Sequence, residues 1–139
     1  MSDHRFMLDT NIVSDLVRNP RGRVQGKLRH HGINTVCLSA IVVSEIRFGL
    51  LAKASEKFND LVESALSRIA VVDYEEKVSF AYAHIRNDLQ KRGLLIGVTD
   101  LFIAAHAKSL GLTLVTNNVR EFSRVEGLKI ENWLAEADQ

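Results

Sequence analysis

The sequence predicts an α/β protein with a short central parallel sheet of four to five strands. Two observations point there. Runs of three or four apolar residues recur along the chain, separated by stretches of helical periodicity, so strands alternate with single or paired helices. Those runs are apolar at consecutive rather than alternate positions, as expected of parallel strands covered by helices on both faces. With 139 residues, 46% of them hydrophobic, the chain suits one domain over residues 1–139 with a sizeable core.

Residues 5–8 form the first apolar strand, which runs into Asp9-Thr10-Asn11, a turn and helix-capping cluster. Ile12, Val13, Leu16 and Val17 then recur at helical spacing until Asn19-Pro20 breaks the helix. A basic helix is expected over residues 21–30 and a second strand over 36–38. Ser39 is a natural cap for a helix through Leu51 that carries Glu45 on its inward stripe, with Ile41 and Gly49 near it in angle and Val42 and Phe48 flanking. The next helix, 54–68, presents Leu61, Ala65 and Leu66 on one side, and residues 69–72 form the third strand. A long helix over 74–90 turns Val78, Ala81, Ile85 and Leu89 inward. After Gly93 comes a helix from Asp100 to Leu110 that is apolar nearly all round, then a fourth strand over 112–115. A weak fifth strand over 128–130 precedes a terminal segment around Trp133.

Composition excludes several classes. Cys37 is the one cysteine, so no internal disulfide forms and no Cys/His zinc pattern exists; a reducing, cytoplasmic setting fits. No apolar stretch reads as a signal peptide or membrane span. No phosphate-loop or dinucleotide glycine motif is present. Net charge is +1, yet the stretch from Arg18 to His31 holds Arg18, Arg21, Arg23, Lys27, Arg29 and two histidines with no acid. Arg21, Arg23, Lys27 and Arg29 are candidate phosphate grips for RNA, and a solvated helix face explains them equally well.

The chemistry lies in the acids. In parallel sheets ligands gather outside the carboxyl ends of the strands, where strand order reverses. Asp9 follows strand one directly, where an acid can also simply cap a helix. Glu45 on an inward stripe is costly unless paired with an arginine or bound to a metal. Asp100 is the sole acid between Leu89 and Arg120, at the head of the most buried helix, where it also complements the helix dipole. After strand four, Thr116, Asn118 and Glu121 are polar candidates whose plain alternative is an ordinary turn. Acids that converge repel one another, and a divalent cation removes the conflict. An all-oxygen donor set favours Mg²⁺ or Mn²⁺ over zinc and suits phosphoryl chemistry. Two rivals exist. A Mg²⁺-dependent phosphatase or nucleotidase with Asp9 as nucleophile would want a second aspartate where Asn11 stands. A non-enzymatic signalling module would use the acidic pocket for a cation alone, and the loop directly after strand four, residues 116–122, holds no lysine to support it. His106, mid-helix in an apolar setting, reads as a core histidine, and Trp133 and Phe122 as packing residues.

Four segments carry a family resemblance: residues 6–11, FMLDTN; 44–49, SEIRFG; 96–107, IGVTDLFIAAHA; and 114–122, LVTNNVREF. In this order and within this length they resemble the motifs of PIN-domain toxins of the VapC type. The resemblance covers almost the whole chain. It implies an α/β/α sandwich and a Mg²⁺- or Mn²⁺-dependent endoribonuclease. It further implies a homodimer and a VapB-like antitoxin whose C-terminal segment blocks the active site. Asp9 and Asp100 match the metal-binding acids, and Glu45 matches the third acid. Asn11, Thr116 and Asn118 fall in supporting positions. Many PIN domains have a fourth acid where this chain carries Asn118, which leaves Glu121 as its candidate substitute. The targets of relatives are structured RNAs, and the chain is most similar to the branch that cuts initiator tRNA in its anticodon region.

Overall fold

The computed structural model describes residues 3–53 and 55–135. Five parallel strands form one sheet in the order β3-β2-β1-β4-β5: β1 is Phe6–Leu8, β2 Val36–Ser39, β3 Ala70–Val72, β4 Thr113–Val115 and β5 Ile130–Glu131. The helices between them are α1 Thr10–Arg18, α2 Arg23–His31, α3 Ala40–Lys53, α4 Glu56–Leu66, α5 Val78–Lys91, α6 Val98–Ser109 and the short α7 Val119–Phe122. Parallel neighbours need such crossovers, because a strand must return to the edge where it began.

The core sits against β1, β2 and β4, whose apolar side chains are buried at nearly every position. The expectation of full cover on both faces fails at β3. It is the edge strand, Ala70 and Val71 are exposed, and only the β2 side of its ladder is paired. Phe122 and Trp133 are packing residues as expected: Trp133 meets Phe6 edge-on at 5.1 Å and stacks on His31 at 5.5 Å, and its Nε1 donates to Glu131 Oε1.

Several element edges shift. Tyr74 precedes α5, which starts at Val78. α6 starts at Val98, so Asp100 is its third residue rather than its first. Val119–Phe122 is a helical turn rather than an irregular loop. On α3 the aromatic Phe48 is 76% exposed, and on α4 the inward position belongs to Val62 while Leu61 faces out. Among the described residues no helix is long and apolar enough to cross a membrane.

Strand order decides where the site forms. From β1 the chain steps outward to β2 and β3, then returns across the sheet to lay β4 on the other side of β1. Successive connections therefore leave β1 and β4 in opposite directions, which opens a crevice between their carboxyl ends.

Candidate active site

Asp9 and Thr116 are the residues that follow β1 and β4 into that crevice. The ladder holds them side by side: the Asp9 amide donates to the Val115 carbonyl at 2.9 Å, and the Thr116 amide donates to the Glu131 carbonyl at 3.0 Å. Asp9 is 6% exposed and Thr116 fully buried. Asp9 Oδ1 accepts from the Thr10 amide at 2.8 Å and so caps α1. Its Oδ2 accepts from Thr116 Oγ1 at 2.9 Å, and that hydroxyl in turn accepts from the Asn118 amide at 3.0 Å. Asp9 is thus both a cap and a pocket acid, and the two readings of it from sequence coexist.

Asp9, Thr10, Asn11, Glu45, Asp100, Asn117 and Asn118 line one open pocket of about 480 Å³. Glu45 is half-buried at the edge of its apolar stripe, with Oε1 accepting from Thr10 Oγ1 at 3.2 Å. Among the described residues no arginine pairs with it; Arg47, two residues on, pairs with Glu63 instead. α6 has Gly97 at its cap position with no side chain closing it, so the Asp100 carboxylate is not spent on capping. Among the described residues no hydrogen bond or ion pair satisfies Asp100. At the lip, Asn11 Nδ2 donates to Asn117 Oδ1 at 3.2 Å.

The electrostatics follow from this geometry. Burial pushes the Asp9 carboxyl above the ordinary carboxylate range, opposed by its bonds from Thr10 and Thr116. Asp100 is pushed up to about 6, by burial first and then by the charges of Asp9, Glu121 and Glu45. Among the described residues no three acids, histidines or cysteines close tightly enough to form a ready-made cage. The arrangement is an open one, suited to a cation that keeps part of its water shell and takes one or two carboxylates directly.

The structure brings together Asp9, Asn11, Glu45, Asp100, Thr116 and Asn118. Glu121 does not line the pocket; it sits on α7 and acts on Asp100 through its charge. The basic candidates are elsewhere. Arg21 and Arg23 line a separate cleft of about 550 Å³ with Arg18, Asp15 and Leu134, and neither Lys27 nor Arg29 touches the acid pocket. Thr10 and Asn117 are pocket residues that the sequence reading left without a role. Both stand beside an assigned residue in the chain, which was the available signal.

A profile of the PIN domain family matches residues 6–128. The chain is 38% identical over 131 residues to ribonuclease VapC2 of Haemophilus influenzae, covering 94% of this chain and 98% of that one. The chain belongs to the VapC ribonucleases of the PIN-domain family. Another VapC-family relative, the tRNA(fMet)-specific endonuclease VapC of Salmonella typhimurium, is 36% identical over 132 residues, 93% of this chain and 98% of that one. Among solved structures, VapBC2 of Rickettsia felis bound to a DNA fragment from its promoter superposes with a TM-score of 0.84 at 35% identity. It covers 92% of this chain and 98% of that one. As a VapC-family protein the chain is a nuclease, and PIN-domain nucleases are in general dependent on divalent metals.

The Thr116 hydroxyl carries a testable share of the site. Thr116→Val keeps the shape but leaves Asp9 Oδ2 and the Asn118 amide without this partner, which costs about 1–3 kcal/mol of stability. Cleavage of RNA is expected to fall roughly 10–100-fold, as when a partner of a metal-holding carboxylate is lost. Urea melts and steady-state kinetics on one purified variant check both.

Proposed function

We propose that this VapC-family chain is the toxin of a toxin–antitoxin pair, an endoribonuclease that hydrolyses structured RNA with Mg²⁺ or Mn²⁺ bound at its acid pocket. The observation that carries this is the set of carboxylates at the β1/β4 crevice, with no basic side chain among the described residues that line it. An all-oxygen donor set of this kind fits a hard divalent ion. Bound there, the ion offsets charge on the scissile phosphate and makes water a better nucleophile near neutral pH.

The chain's own groups do the rest. Asp9 and Asp100 would hold the ion, with the Thr116 hydroxyl fixing the orientation of Asp9. Glu45, with Oε1 anchored by Thr10, turns its other oxygen to the attacking water and takes its proton. Water oxygen bonds to phosphorus as the bond to the 3′ oxygen breaks; the leaving 3′ oxygen takes its proton from solvent, and Glu45 returns the proton it took to solvent. Asn11, Asn117 and Asn118 offer amides to RNA at the lip, and Glu121 adds negative charge from behind. Products carry 5′-phosphate and 3′-hydroxyl ends. Incubating purified protein and Mn²⁺ with tRNA and mapping the new ends tests the reading. Ends of the stated kind support it; a 2′,3′-cyclic phosphate would show that the ribose 2′-hydroxyl attacked instead.

The S. typhimurium relative's name favours initiator tRNA as substrate, and sequencing of RNA ends after brief induction, with Asp9→Asn as control, would identify the target. The R. felis complex favours a VapB-like antitoxin as partner. A groove between α1, α3 and α4, lined by Val13, Ile46, Leu50, Phe58 and Val62, shares Thr10 and Glu45 with the acid pocket and suits an antitoxin segment. Exposed apolar residues on α5 and α6, Phe80 and Val98 among them, suit a homodimer. The place of action is the cytoplasm, where such RNA resides.

Because Arg21, Arg23, Lys27 and Arg29 stand apart from the pocket, they would grip RNA at a distance from the cut. Changing all four to alanine is expected to weaken RNA binding and reduce the slope of log affinity against log salt by up to about 3, leaving the rate at saturating RNA unchanged. An unaltered slope in filter binding across a salt series would remove them from the RNA path.

A further inference from the structure

One buried ionisable side chain on the helix that carries Asp100 takes no part in the chemistry above. His106 is six residues beyond Asp100 on α6 and fully buried among apolar neighbours. Its Nδ1 stands 2.8 Å from Ser39 Oγ. Ser39 ends β2, is itself fully buried, and its Oγ also accepts from the Ile41 amide at 3.1 Å, tying down the first turn of α3. α3 carries Glu45, α6 carries Asp100, and the two helices pack directly on each other.

The two nitrogens of the ring are not equivalent. Nε2 is buried and finds no partner at hydrogen-bonding geometry among the described residues. The Asp73 carbonyl is near enough to favour a proton on the ring without completing a bond, and Tyr74 meets the ring edge-on at 5.3 Å. Burial outweighs these influences and lowers the ring's affinity for a second proton. Among the described residues the ring's one hydrogen bond of full geometry is therefore that of Nδ1 with Ser39. An apolar side chain would fill the same space, but a buried polar pair fixes one relative position of two helices where apolar contacts tolerate sliding.

We propose that His106 is a positioning residue: through Ser39 it locks α6 to the head of α3 and so sets how Asp100 and Glu45 face each other across the pocket. This rests on the pocket being the cation-dependent ribonuclease site. Asparagine places its amide where Nδ1 lies, and glutamine places it where Nε2 lies, so the two variants separate the bond to Ser39 from mere polarity or volume. In the full chain, His106→Gln is expected to lower kcat about tenfold or more, the scale of a small misplacement of reacting groups, with KM for RNA unchanged. It should also weaken Mn²⁺ binding to the RNA-free protein, read by electron paramagnetic resonance. His106→Asn should recover most of both. Ser39→Ala cuts the same bond from the other end and should lower kcat like His106→Gln, which keeps the test open if the glutamine variant does not fold. A folded His106→Gln or Ser39→Ala protein with wild-type kcat and Mn²⁺ affinity overturns the positioning role, as do asparagine and glutamine variants that are equally impaired. A wild type that neither binds Mn²⁺ nor cuts RNA overturns the reading of the pocket as well.

Discussion

Asp9→Asn and Asp100→Asn are each expected to lower RNA cleavage on the order of a thousandfold, at the upper end of what one preorganised electrostatic group contributes, without loss of folded stability in the absence of metal. The two halves of this expectation share one cause. Asp100 has no protein partner among the described residues and stands in the field of Asp9, Glu121 and Glu45. Asparagine there forfeits no bond and removes a repelled charge. At position 9 an amide can still accept from Thr10 through its oxygen, and its NH₂ can donate to Thr116 Oγ1; the Thr116 hydroxyl proton then loses its acceptor, which the removal of a buried charge offsets. The variants should therefore melt at or above the wild-type temperature while losing their activity. Cleavage rates in Mn²⁺ beside thermal melts in a chelator check this. Variants that lose activity only in proportion to lost fold would assign the two acids a structural role.

The second large effect is on stability against pH. In the unfolded chain Asp100 ionises near 3.8, whereas in the folded protein it does so near 6. The folded state holds the proton more tightly, so this group's contribution is fully present below about pH 4 and is lost as pH rises through about 6. The rise corresponds to at most about 3 kcal/mol, less what solvent in the open pocket screens. His31 and His106 are shifted downward by burial and act in the opposite sense at mildly acidic pH. The informative quantity is therefore the difference between wild type and Asp100→Asn. In chelator, the variant's advantage should be about a third of its full size at pH 4.5 and reach that size by pH 7.5. Saturating Mn²⁺ at pH 7.5 should reverse the sign, since an ion at one hundred times its Kd stabilises by about 2.7 kcal/mol and the variant has lost a ligand for it. Denaturant melts of both proteins at the two pH values, with and without Mn²⁺, give the four numbers needed. An advantage that does not change with pH would mean that Asp100 is not crowded by other acids.

Much of this site was legible in the sequence, because chain connectivity alone puts the residue after each apolar strand at one edge of a parallel sheet. Asp9 and Thr116 needed no more than that. Asp100 was legible because an acid at the head of an otherwise apolar helix lacks a surface to serve. Glu45 was placed on the right helix, but angular periodicity put Phe48 inside with it. The helix is apolar on most sides, so its pattern does not say which side meets the core, and Phe48 lies in the open. On α4 two apolar residues stand side by side, and the packing took Val62 rather than Leu61. The basic stretch was legible as a helix, but its place relative to the pocket was not, since the direction in which α2 leaves α1 depends on packing against the terminal segment around Trp133 and Leu134. The roles of Thr10 and Asn117 arise from contacts across 35 and 106 residues of chain, which no local pattern encodes.

The claim on which the rest depends is that Asp9 and Asp100 hold a hard divalent cation. Anomalous diffraction from crystals of the full chain grown with Mn²⁺ tests it most directly. The expected result is a manganese peak between these two carboxylates that disappears in Asp100→Asn crystals. A wild-type protein that cuts RNA under the same conditions yet shows manganese elsewhere, or nowhere, would contradict it.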